Sequence, residues 1–219
     1  DAAKTGLSDV GDITHLAYAA LYEKPGLIAG WRERDQMEIN LAMLKNCLEP
    51  LLKSKSLRHV TLLQGTKAYG LHVHPIPIPA RERAPRDNHD NFYWLQEDYL
   101  KEKAREHGFT WTILRPQLIV GRPWGVAMNL VPIIGAYAAI CTEEGLPFSF
   151  TGGVPYVWEA VDARLVAEVI EWAGASPAAA NEHFNLTNGD VFEWRNLWPG
   201  MAEVLGVEPG PDDPKSMAL

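Results

Sequence analysis

Cysteine is scarce: Cys47 and Cys141 are the only two in 219 residues. Each falls inside an apolar helical pattern, so buried free thiols are expected rather than a disulfide. Basic residues are the minority charge, 20 against 28 acidic ones for a net charge of −8, which excludes the non-specific nucleic-acid binding that clustered Lys and Arg support. No apolar stretch of transmembrane length and no secretory signal pattern is present, so a cytoplasmic protein is expected, with neither membrane nor nucleic acid among its partners. His72 and His74 stand close together without Cys or acidic residues at ligand spacing nearby, and no metal is expected. Asn185-Leu186-Thr187 matches a glycosylation acceptor, but outside a secretory context. Internal repeats and low-complexity tracts are also missing.

What is present is a globular composition, 47% hydrophobic and 22% charged, sufficient for a substantial core in one or two domains. Residues 58 to 121 carry the clearest order. His59–Leu63 and Thr110–Leu114 are short apolar runs bounded by turn-formers, as buried parallel strands are. Between them, Phe92 to His107 places Phe92, Leu95, Tyr99 and Leu100 on one face and charges on the other, with Gly108 just past the end, as in a helix stopped by glycine. In such a β-α-β unit, ligands sit beyond the carboxyl ends of the strands, where Lys67 and the helix start, with Tyr93, both lie. The segment from Gly70 to Asn91 contains Pro75, Pro77, Pro79 and Pro85 and so reads as a long functional loop bordering the cleft. Within it, Arg81-Glu82-Arg83 is a solvated surface run or a contact for a phosphate.

Before this unit, Asp12–Leu21 is a strand candidate, and Arg34–Leu52 is a helix with Met37, Leu41, Leu44, Leu48 and Leu51 on one face. After it come an apolar helix over Val126 to Thr142, a strand over Phe148–Thr151, an amphipathic helix over Asp162–Ala173 and a strand over Glu182–Thr187. Asn188-Gly189 then turns into a helix from Phe192 to Leu205. Asn129 is the polar member of its helix and caps or bridges within the core. Trp158 falls in a loop, where it packs or walls a pocket. Trp194 and Trp198, four apart, read as core or interface residues. The alternation predicts an α/β fold: a Rossmann-type doubly wound parallel sheet up to Gly121 and a smaller helix-rich region from about residue 122 onward.

A tyrosine in the first turn of such a helix is a feature of short-chain dehydrogenases, whose usual signature places Lys four residues later. Here that position is Glu97. A carboxylate one turn below a phenol favours the protonated form, and Lys67 is placed to supply positive charge from another direction. Gly65, Lys67 and Tyr69, then Asn91-Phe92-Tyr93 with Glu97-Asp98, then Arg115-Pro116 and Gly121, resemble the progesterone 5β-reductase and iridoid synthase family. This is an atypical branch of the extended short-chain dehydrogenases that reduces conjugated enones with NADPH. The resemblance continues through residues 128–141 and 184–198 and so covers nearly the whole chain.

The resemblance implies NADPH as cofactor and a small-molecule enone as substrate. Tyr93 would hydrogen-bond the substrate carbonyl oxygen and Lys67 would stabilise negative charge there. It also implies that Ala19, Ala20, Gln64, Gly65, Tyr93, Pro116, Gln117, Leu118 and Ile119 border the dinucleotide, and Asn129 and Trp158 the substrate. Residues 1–121 then form a partial NADP-binding Rossmann-type domain, and residues 122–219 mostly a substrate-binding region with some segments returning to the sheet. A homodimer is compatible with this reading. The glycine-rich turn of a dinucleotide fold is not found, since Gly152-Gly153 lacks the G-x-G-x-x-G spacing. The family's first β-α-β-α-β portion and its last helices are therefore expected to lie outside these residues, together with the residues that select NADPH over NADH. These residues alone are expected to bind a dinucleotide poorly, for want of a pyrophosphate cradle.

Taken singly, Tyr93 also reads as a core aromatic and Lys67 as a solvated loop cation; the ordered series carries the enzymatic reading. The alternatives are an ordinary extended short-chain dehydrogenase acting on a ketone, alcohol or nucleotide sugar, which Glu97 in place of lysine weakens, and a non-catalytic regulator that senses the reduction state of the nucleotide.

Overall fold

A computed structural model of the chain describes residues 6–7, 12–24, 30–122, 130–153 and 156–214. In chain order the elements are β1 (His15–Tyr18), α1 (Arg34–Leu52), β2 (His59–Leu63), α2 (Phe92–His107), β3 (Thr110–Pro116), β4 (Leu118–Val120), α3 (Leu130–Glu144), β5 (Trp158–Asp162), α4 (Ala163–Ala175), β6 (Glu182–Leu186), β7 (Val191–Phe192) and α5 (Trp194–Leu205), with 3-10 turns at Gly30–Arg32, Thr66–Tyr69 and Pro177–Ala179. They fall into two compact units, one of Asp1–Pro116 with Ala167–Leu186, the other of Gln117–Val166 with Thr187–Leu219.

The first unit is built on a parallel sheet in the order β1-β2-β3-β6. Successive side chains of a strand point to opposite faces, and here each face has its own helical layer. Val60 and Leu62 of β2, with Trp111 and Ile113 of β3, pack on Leu44 and Leu48 of α1 and on Leu100 and Ala104 of α2. Leu44, Leu48, Val60, Leu62, Leu100 and Ile113 are wholly buried, each contributing about 1.5–3 kcal/mol of apolar transfer, so this layer dominates the unit's cohesion. The intervening Leu114 points the other way, beside Phe184 in register, and Phe184 meets Trp172 of α4 edge-on, with ring centroids 5.4 Å apart. Gly174 of α4 approaches so closely that a Cβ there would lie 2.9 Å from the His15 ring, a contact that only glycine permits. Helices on both faces of a parallel sheet make this a doubly wound Rossmann-type arrangement, as the sequence alternation predicts.

The second unit has a three-stranded sheet, β4-β5-β7, in which β4 and β5 are parallel and β5 and β7 antiparallel. Its core joins Ala138 and Cys141 of α3 to Ala202 of α5 and to Phe148, which lies between the helices in sequence. Phe148 stacks on Trp198 at 4.6 Å and 11°. Cys47 is half-buried and Cys141 buried, both as free thiols. No helix among the described residues is long and apolar enough to cross a membrane.

Several expectations are corrected. The first strand is only His15–Tyr18: its register sets His15 opposite His59, where β2 begins, and carries Ala20 and Leu21 past the end of β2. Phe148–Thr151 is not a strand: Phe148 makes one bridge, to Pro209, and its ring is taken by Trp198. Trp158 begins β5 rather than lying in a loop; acidic Glu159 and Asp162 disguise that strand. Leu95 is 38% exposed whereas Gln96 and Glu97 are 1% and 2% exposed, so polar contacts outrank apolar periodicity on that turn of α2. The apolar helix runs from Leu130 to Glu144, and residues 126 to 129 lie outside the described ones. The later helices are shifted by one or two residues, to Ala163–Ala175 and Trp194–Leu205.

Candidate active site

The backbone past β2 sets the site. The Gln64 N–H still bonds Leu114 O at 2.8 Å, which keeps the chain in the sheet for one more residue. Gly65 then leads into the 3-10 turn Thr66–Tyr69, closed by Gly70 in the left-handed region at φ +82°, a conformation natural to glycine. A Cβ on Gly65 would lie 3.4 Å from both the Tyr93 hydroxyl and Pro116 O. The glycine therefore runs within contact of the phenol and of the end of β3 without a side chain of its own between them.

Tyr93 enters through the start of α2. Asn91 caps the helix, its Oδ1 accepting the Tyr93 N–H at 3.0 Å, while its Nδ2 donates to Lys67 O at 3.1 Å. One asparagine thus ties together the backbones of both predicted catalytic residues. His89 Nε2 also lies 3.1 Å from Lys67 O. Its Nδ1 is 2.6 Å from Asp87, whose other oxygen meets His74 Nε2 at 2.9 Å, so the loop predicted to border the cleft is clipped to the turn that carries Lys67. No group of three or more His, Cys, Asp and Glu able to hold a metal occurs among the described residues.

Tyr93 is 8% exposed, and its phenol is held well above the usual tyrosine value, first by burial, then by the charge of Glu23, with Arg115 opposing. It is therefore a protonated donor at neutral pH. Lys67 is shifted the other way: burial lowers it and Glu23 resists. Its Nζ is 3.5 Å from Glu23 Oε1 and 3.5 Å from the centre of the Trp31 ring. Trp31, 2% exposed, donates its Nε1–H to Glu23 and meets the Tyr93 ring edge-on at 5.4 Å.

Glu97, at the signature lysine's position, serves the fold. Its carboxylate receives His183 Nε2 at 3.0 Å, Arg86 at 3.1 Å, Lys101 at 2.5 Å and Gln64 Nε2 at 3.3 Å, with Arg115 at 3.6 Å. Burial opposes its ionisation, but the bonds from His183 and Lys101 outweigh that and hold the carboxyl well below the ordinary range. The expectation that Glu97 keeps Tyr93 protonated is thereby corrected: burial and Glu23 do so, because Glu97 is already paired with cations.

Of the residues singled out by sequence, Gln64, Gly65, Lys67, Tyr93 and Pro116 come together in the first unit. Ala19 and Ala20 stand exposed just past β1. Gln117, Leu118 and Ile119 belong to the second unit, where Gln117 Oε1 accepts the Glu159 N–H at 2.9 Å and Leu118 and Ile119 pair with Ala160 and Val161. Trp158, in that unit, lines a cavity of about 180 Å³ with Phe150, Tyr156 and Trp194. Asn129 lies outside the described residues. Sequence reasoning missed Glu23 and Trp31, which no motif or periodicity marks, and gave Arg115 no role although its Nε bonds Gln64 Oε1 at 3.0 Å.

No family model matches the chain. It is 38% identical, over 93% of its length, to the (S)-8-oxocitronellyl enol synthase of Nepeta cataria, covering 53% of that protein. It is 37% identical, over 99% of its length, to the 3-oxo-Δ4,5-steroid 5β-reductase of Arabidopsis thaliana, covering 57% of it. The chain thus spans about half the length of the curated relatives it matches. Among solved structures, RMD from Pseudomonas aeruginosa complexed with NADPH aligns with 97% of this chain and 72% of its own, at TM-score 0.74 and 16% identity. A short-chain dehydrogenase/reductase superfamily protein from Agrobacterium tumefaciens with bound NAD aligns over the same shares, at TM-score 0.68 and 17% identity. At such identities these two structures speak for the fold alone. Along nearly all of its own length, then, the chain is similar to an (S)-8-oxocitronellyl enol synthase and a 3-oxo-Δ4,5-steroid 5β-reductase, and its fold is like that of the short-chain dehydrogenase/reductase superfamily protein.

Proposed function

We propose that the protein reduces the carbon–carbon double bond of activated enones, with NADPH as reductant. The observation that supports this best is the buried, protonated Tyr93 beside a side-chain-free Gly65, with Lys67 tied to the same asparagine cap. NADPH, when bound, supplies a hydride. Ala19, Ala20, Gln64, Gly65 and Pro116 stand at carboxyl ends of strands and suit a flat ring, since a side chain on Gly65 would come within 3.4 Å of the Tyr93 hydroxyl. In this reading the first unit binds the dinucleotide, and the second, with Trp158, contacts the substrate. The enzyme works in the cytoplasm on a small enone.

Hydride arriving at the β-carbon drives negative charge through the conjugated system onto the carbonyl oxygen. Catalysis then needs a donor and a positive charge at that oxygen. The Tyr93 hydroxyl donates, and Lys67 supplies charge through space. A phenol kept above its ordinary pKa retains its proton, so it has no need of the lysine four residues on that other short-chain dehydrogenases use to acidify theirs.

The test is cofactor consumption, followed at its absorbance band, with a panel of enones and ketones and with NADPH against NADH, the products being identified by mass and NMR. Saturated ketones made faster with NADPH are expected. Allylic alcohols as products would overturn the assignment.

A further inference from the structure

Lys67 is joined to an acidic residue that the proposed reaction does not itself require. The side chain of Glu23, in the segment after β1, is 15% exposed against 29% for Lys67, so both ends of this pair are withdrawn from water. One oxygen, Oε1, receives the Trp31 indole N–H and lies 3.5 Å from Lys67 Nζ. The ammonium sits 3.5 Å above the same indole, and the indole meets Tyr93. Carboxylate, ammonium and indole thus close a triangle with one corner on the catalytic phenol. A free lysine turns its strongly hydrated charge to solvent; a counter-charge and an aromatic face together hold it in.

We propose that Glu23 is a positioning residue for Lys67: its carboxylate pins the ammonium to the face of Trp31 and keeps it charged where Tyr93 adjoins. The proposal rests on the reading of Tyr93 and Lys67 as partners of the substrate oxygen. An ammonium half-withdrawn from water loses its proton more readily, and burial does pull Lys67 down from the ordinary lysine value while Glu23 resists. The other ionisable groups around Lys67 are Tyr93, His89 at its carbonyl, and His72 and Arg32, which share its field. Burial, with His89, Lys67 and Arg32, lowers His72 to about 4, so it is neutral at working pH. Asp87 is engaged by His74 and His89, which leaves Glu23, among the described residues, as the anion in contact with Lys67.

Glu23→Gln keeps the shape and an oxygen for the Trp31 N–H, and removes only the charge. Loss of an opposite charge at this range lowers an ammonium's pKa by about one unit or more. In the full-length enzyme, NMR titration of an isotope-labelled Lys67 side chain should therefore move to lower pH by about one unit, with Glu23→Asp restoring most of the shift. The alkaline limb of the kcat profile for enone reduction should move by the same amount, and Glu23→Gln should move nothing further in a Lys67→Met background. An unchanged Lys67 titration overturns the proposal. So does a limb that still moves in the Lys67→Met background, since Glu23 would then act on Tyr93 directly. A protein inactive on every enone whose Lys67 titration still shifts would support the pinning and sink the reductase reading instead.

Discussion

Replacing Glu97 by Gln removes one negative charge from the first unit and leaves its shape. Lys101 and Arg86, with side chains 31% and 36% exposed, turn to water when the anion goes. Arg115, 6% exposed, has no such escape: among the described residues its guanidinium keeps Gln64 Oε1 and the face of Tyr69, 5.1 Å away. Stripping a buried charge of its counterion costs about 3–5 kcal/mol, and a pair 3.6 Å apart with Gln64 still present belongs at the lower end, about 3 kcal/mol. For a chain of this size that is a fall in Tm of roughly 6–12 °C. The sign with pH follows from the depressed folded pKa of Glu97. Its contribution is complete above the unfolded glutamate value of about 4.3 and fades as pH falls through the lower folded value. The gap between wild type and Glu97→Gln should thus be widest near neutral pH and narrow steadily below about pH 4. Urea unfolding followed by circular dichroism across that range measures it. A neutral-pH gap under about 1 kcal/mol, the worth of an exposed pair, or a gap that stays constant into acid, would refute the reasoning.

Tyr93→Phe should lower kcat about a hundredfold, the usual loss for one oxyanion donor, read as NADPH consumption; Lys67→Ala should also slow turnover, with a smaller effect on cofactor affinity. At position 91, Asp keeps the helix cap but not the donor to Lys67 O, whereas Ala loses both. Asn91→Ala should therefore cost about 1 kcal/mol in thermal unfolding while Asn91→Asp costs less, and both should lose activity. Equal stability losses in the two variants would contradict the division of labour between the Asn91 oxygen and nitrogen.

The α2 boundaries were legible from the apolar spacing that begins at Phe92 and from Gly108, at φ +78°, as stop, whereas the Asn91 cap is seen only in the structure. α1 and β2 were equally plain, from alternating four- and three-residue spacing and from a compact apolar run. β5 escaped because its acidic residues break the pattern and Val161 is its one fully buried member. Within the site, Gly65, Lys67 and Tyr93 could be read in order along the chain. Glu23 could not, since it meets Lys67 across 44 residues and nothing periodic links them. Glu97 was visible as a charge, but its partners come from the cleft loop, α2, β3 and β6, and only the fold shows that they converge on it. The group that keeps Tyr93 protonated was therefore misassigned.

Asn91 and His89 take hold of the Lys67 carbonyl, not its side chain, and the cap takes hold of the Tyr93 amide, not its phenol. Every residue type but proline offers those same main-chain atoms. Substitution at 67 or 93 therefore leaves these main-chain bonds in place, whereas Asn91→Ala removes the Asn91 bonds under both at once. Position 91 is thus a single point of failure for the backbone at both, a weakness that neither 67 nor 93 has by itself.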